Sequence, residues 1–140
     1  MPVRQVVNWG ISDPKRIFLI DGIGAICSAF FLGVVLVRLE NLFGIPQHTL
    51  YLLASLPCLF TLYDLICFFR VKIKYALFIK GIALANILYC LLSVGFAIYH
   101  REVITQYGWI YISIEILLIC VLVYFELLVV KRLNININQS

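Results

Sequence analysis

Charged side chains are scarce in this chain: Lys and Arg number 11 and Asp and Glu only 7 in 140 residues. Soluble domains carry about a quarter charged residues, so an ordinary water-facing surface is excluded. Long polar connections are missing too, which leaves no room for a soluble domain or an extended binding loop between apolar runs. No H-E-x-x-H, G-x-S-x-G or Walker loop occurs. The only histidines, His48 and His100, fall in the short connections and read as interfacial turn residues. There is no C-x-x-C pair, which argues against a membrane thiol oxidoreductase. Cys27, Cys58, Cys67, Cys90 and Cys120 all lie within apolar runs, so a disulfide staple in an aqueous loop is excluded. No basic stripe with interleaved aromatics lies outside those runs, and a nucleic-acid partner is not expected.

What remains is apolar: 64% of the residues, with a mean hydropathy of +1.04. A span needs about 20 such residues, and four fit, at roughly 17–37, 49–69, 76–99 and 109–130. The expected fold is all-α, a four-transmembrane-helix bundle forming one domain over 1–140, with the lipid bilayer as its first partner. A homo-oligomer or a membrane-complex subunit are the protein associations such a bundle allows.

Basic residues set the expected orientation, because short loops rich in Lys and Arg stay cytoplasmic. Arg4, Lys15 and Arg16 precede the first span, Arg70, Lys72 and Lys74 link the second to the third, and Lys131 and Arg132 follow the fourth. Arg38 and Arg101, one in each remaining loop, stand beside Glu40 and Glu102. Both termini are expected inside, with the net charge of +4 acting as a topology signal. The first run is too long for a signal peptide and contains Asp21; Ile26 before Cys27 is no lipoprotein signal. Asp13 before Pro14 reads as an N-cap, so the first helix is expected to begin there.

Five ionisable residues nevertheless lie inside the runs: Asp21, Asp64, Lys80, Glu115 and Glu126. A charge in hydrocarbon costs about 2.5–3.5 kcal/mol on insertion scales, so each should be paired, protonated or turned to a polar cavity. Asp21, Asp64, Lys80 and Glu126 stand four or five residues from the cytoplasmic ends of their spans, one per helix, which places them in one layer. An Asp21–Lys80 ion pair is the economical arrangement, with the other carboxylates protonated, hydrated or bound to a cation. The competing reading is that the layer is shallow enough for side chains to reach the headgroups and merely fixes helix register.

Glu115 and Glu126 are eleven residues apart and so share a helix face, separated by about 16 Å of rise. Ile119 and Leu122 stand between them, so a relay would need Ser28, Thr61, Asn86 or Ser93 from other helices. Alone, each of those four reads as an interhelical hydrogen-bonding group. Cys27, Cys58, Cys90 and Cys120 lie near mid-membrane, one per helix, and would suit a soft metal if they converged. Without His or Met companions they read as small buried apolar residues, and no cofactor or metal is expected.

A parallel duplication of a helical hairpin is faintly drawn: Ile20-Asp21-Gly22-Ile23-Gly24 against Ile79-Lys80-Gly81-Ile82-Ala83, Tyr63-Asp64 against Tyr124-Phe125-Glu126, and Gly44 against Gly108. Ala25, Ala29 and Gly33 form a small-residue stripe for close helix packing, and Pro57 is expected to kink the second span and free the Leu53 carbonyl. Leu19-Ile20-Asp21-Gly22, Phe43-Gly44-Ile45-Pro46, Leu56-Pro57-Cys58 and Tyr63-Asp64 together resemble small four-helix bacterial inner-membrane proteins to which no activity is assigned. That resemblance implies a fold and a bacterial inner-membrane location and brings no activity. Small multidrug transporters fit worse, having a glutamate where this chain has Ile26 to Ser28, and the Gly- and Arg-rich pattern of fluoride channels is absent. The buried carboxylates favour a small proton- or cation-coupled translocator. A non-catalytic accessory or assembly subunit is the alternative, and a lipid-headgroup-modifying enzyme using Asp64 or Glu126 with Lys80 comes third.

Overall fold

The computed structural model describes residues 2–139, and every regular element among them is helical. Helix α1 is Pro2–Ser12; α2, Lys15–Phe30, runs on into a π-helical turn, Phe31–Leu36; α3 is the short Glu40–Phe43; α4 is Gln47–Arg70, α5 Tyr75–Tyr99 and α6 Gln106–Gln139. Four stretches are long and apolar enough to cross a membrane: Lys15–Leu36, Gln47–Arg70, Tyr75–Tyr99 and Gln106–Gln139. They coincide with the expected spans except that α6 continues well past residue 130.

The burial pattern is that of a protein surrounded by lipid. On α6, Leu117 and Leu118 are each 64% exposed, whereas Glu115 is 6% and Glu126 0% exposed. Leucine is as much at home in hydrocarbon as in a protein core, so burial is reserved for groups that hydrocarbon rejects. Helix α2 packs along α4 and α5 along α6, while α2 and α6 meet at only a few points. Gly33 lets the α2–π segment approach α4, since a Cβ there would lie 3.3 Å from that of Ala54. Two apolar clusters brace the bundle: one includes Ile17, Phe18, Cys67, Ile79 and Val129 near the ends rich in Lys and Arg, the other Leu32, Leu36, Leu50, Leu53 and Ile112 toward the opposite end.

Two local expectations are corrected. The segment before Asp13 is itself a helix, α1, with Val7 and Gly10 buried. It is far too short to span, and it is held by tertiary contact: a Cβ at Gly10 would press on Ile17, Val129 and Phe125 at 3.0, 3.2 and 3.3 Å. Asp13 does not cap α2 with its side chain. Its carbonyl accepts the Arg16 N–H, and its carboxylate turns instead toward the Arg16 guanidinium at 3.8 Å. Helix α4 stays one helix through Pro57, whose carbonyl accepts a hydrogen bond from Thr61 Oγ1 at 2.9 Å.

At the opposite end the two loops interlock. Gly44 adopts φ 74°, a left-handed conformation that closes α3, and a Cβ there would overlap the Val103 carbonyl oxygen. Thr105 binds back through its N–H to the Phe43 carbonyl at 3.1 Å, and through its hydroxyl to that of Leu42. Thr49 Oγ1 and His100 Nε2 lie 3.0 Å apart, so His100 joins the start of α4 to the end of α5.

Candidate functional site

Three carboxylates gather between the two apolar clusters: Asp21 from α2, Asp64 from α4 and Glu126 from α6, exposed by 2%, 2% and 0%. Asp21 lies close enough to both others for their charges to interact. Gly22 makes the approach possible, because Asp64 rests against it; a Cβ at Gly22 would sit 3.4 Å from that of Asp64. Asn86 on α5 donates from Nδ2 to Asp21 Oδ1 at 2.7 Å, so all four spanning helices supply a side chain. The remaining oxygens, Asp21 Oδ2 and both of Asp64 and Glu126, have no hydrogen-bond partner.

Lys80 is not in this group. It is exposed, while Ile79, Ile82, Ala83 and Asn86 form the inward face of α5. One residue along a helix is a rotation of about 100°, so Ile79 facing in sends Lys80 out. A long side chain near the end of a span reaches the headgroups readily, which stabilises that placement. The expected Asp21–Lys80 pair is therefore replaced by the Asp21–Asn86 hydrogen bond. Among the described residues the ion pair is Arg16–Asp13.

Glu115 forms a second centre toward the other end. Its Oε1 accepts from Tyr89 OH at 3.0 Å and from Ser28 Oγ at 3.1 Å, and its Oε2 has no partner. Tyr89 was not among the sequence candidates. A buried tyrosine hydroxyl needs a partner, and Tyr89 stands three residues from Asn86 on the same face of α5, which is the signal that could have found it. Ser93, next along that face, is buried without a partner for its hydroxyl, whereas Thr61 is occupied with its own helix.

A cavity of about 450 Å³ lies where α2 and α6 stand apart. Asp21 and Asn86 border it, as do Ser28, Tyr89 and Glu115, so it adjoins both carboxylate centres. Its other walls are apolar, and they include Ile119 and Leu122, the residues between Glu115 and Glu126 on α6. Gly24, Cys27, Phe31, Ile114 and Leu118 border it and are also exposed on the outside of the bundle, so the cavity opens sideways toward lipid.

The cysteines do not converge. Cys27, Cys58 and Cys120 are exposed and Cys67 is buried in an apolar cluster; Cys90 and Cys120 are neighbours across α5 and α6. Among the described residues no three His, Cys, Asp or Glu side chains are placed to hold one metal ion.

No family model, no curated protein and no solved structure matches the chain. Its class follows from its own architecture: four apolar helices of spanning length, with acids inside and leucines outside, are those of a multi-pass membrane protein.

Proposed function

We propose that this protein is a small proton-coupled translocator whose exchanging groups are Asp21, Asp64 and Glu126, set in a bilayer with both termini on the cytoplasmic side. The observation that carries the reading is the trio itself: three adjoining buried carboxylates with no basic side chain among them and five oxygens without a partner. A bundle that needed only register would do better with an ion pair or with apolar contacts. Charge balance in hydrocarbon calls for countercharge, and with Lys80 outside it must be mobile. Protons suit this geometry, since sharing them between neighbouring carboxyls requires no coordination sphere. The cavity supports the same reading, because it lies against Asp21 of the trio and against Glu115.

The test is proton flux in proteoliposomes under an imposed pH gradient. The parent protein should dissipate the gradient, and Asp64→Asn and Glu126→Gln should abolish the flux while keeping expression and helix content. Cys58→Ala, on the exposed face, should leave it unchanged. A parent that moves no protons would hand the argument to the accessory-subunit reading.

A further inference from the structure

Helix α1 creates a recess at the surface of the bundle that the carboxylate chemistry does not use. Arg4 and Asn8, one turn apart on α1, face Arg132 of α6 across it, with Tyr124 and Leu128 completing one wall. The recess encloses about 470 Å³ and no acidic residue borders it. Two arginines from separate helices thus border one recess, and among the described residues neither has an ion-pair partner.

The depth of the recess is set by its surroundings. Val3, Val6 and Trp9 of α1 are exposed apolar residues on a helix with Val7 and Gly10 packed inward. A helix with such an exposed apolar face suits a membrane interface. Arg16 stacks over Trp9, 4.9 Å from its ring centre, and so adds a third arginine to this end of the bundle. The close fit at Gly10 holds α1 against α6, so the backbones that carry the two arginines are set in place before binding.

We infer that the recess between α1 and α6 binds the phosphodiester headgroup of an anionic phospholipid, clamped by Arg4 and Arg132 with Asn8 as a further donor. Guanidinium groups match phosphate oxygens in pairs, and Tyr124 and Leu128 offer apolar surface where the glycerol and first acyl carbons would lie. Charge complementarity selects the ligand: a zwitterionic lipid brings its own ammonium and would gain less from two arginines. This site is independent of the translocation reading.

The test is titration of the purified full-length protein in neutral detergent with short-chain phosphatidylglycerol, followed by native mass spectrometry and by thermal unfolding. The protein should retain the anionic lipid preferentially over phosphatidylcholine and unfold at a higher temperature with it. Arg4→Gln with Arg132→Gln should weaken retention about tenfold or more. Lys72→Gln with Lys74→Gln, charges removed at the same end but outside the recess, should not. Inorganic phosphate at equal concentration should neither displace the lipid nor raise the unfolding temperature. Equal retention of phosphatidylcholine, full retention by the double arginine variant, or protection by inorganic phosphate would overturn the assignment. Because Arg4 and Arg132 are exposed, their variants should keep the parental unfolding temperature without lipid, which separates lost binding from lost folding.

Discussion

Asn86 is the side chain on which the carboxylate trio depends most directly, since it alone donates a hydrogen bond to Asp21. Removing a donor from a buried acceptor costs about 1–3 kcal/mol, so Asn86→Ala should lower stability by that much in thermal unfolding in detergent. Asp21→Asn should be nearly neutral, because an amide oxygen still accepts from Asn86 and a charge is removed. Lys80→Gln should stay within about 0.5 kcal/mol of the parent, as expected for an exposed residue. An Asp21–Lys80 pair would instead make Lys80→Gln among the costliest changes. Tyr89→Phe, taking one of two donors from Glu115, should cost about 1–2 kcal/mol. At this scale the acids were legible, because charges in apolar runs stand out whatever their partners. Their partners were not. Which way Lys80 points depends on the rotation of α5, and a one-residue change of phase moves a side chain from the centre of a bundle to lipid.

Among the elements, the four spans were readable from hydropathy alone, whereas α1 was not. A short helix of moderate apolarity has no length signature, and its stability comes from docking on α6. Gly10 should therefore be its sensitive point. Gly10→Val places methyl groups where Ile17, Val129 and Phe125 already sit, and should release α1 from the bundle. Faster trypsin cleavage at Lys15 and Arg16 would report that release, and cleavage no faster than in the parent would argue against it. Gly24→Ala is the control, having open space around the added carbon. At the other end, Gly44→Ala combines a left-handed backbone with overlap on the Val103 carbonyl, and should cost about 1–3 kcal/mol in the same unfolding assay. The sequence marks Gly44 and Gly108 as corresponding loop glycines; in the fold both loops press on each other, with Gly108 close against the Phe43 carbonyl. That contact explains both glycines without any need for a duplicated hairpin.

For the molecule as a whole, the basic residues other than Arg38 and Arg101 lie toward the same end of the bundle as the carboxylate trio, so the orientation decides which compartment the trio adjoins. Reporter fusions after Lys74 and Lys131 should be cytoplasmic and fusions near Gln47 and Thr105 external; the reverse would move the trio to the outer side. The central claim is that mobile protons balance Asp21, Asp64 and Glu126. Infrared spectroscopy of the protein in lipid nanodiscs reads this directly, through the C=O stretching bands of protonated carboxyl groups. The account predicts such bands at neutral pH, their shift when water is replaced by deuterium oxide, and their loss from the difference spectrum when Asp21→Asn, Asp64→Asn and Glu126→Gln are combined. Absence of the bands in the parent, or a triple variant that retains all of them, would contradict it.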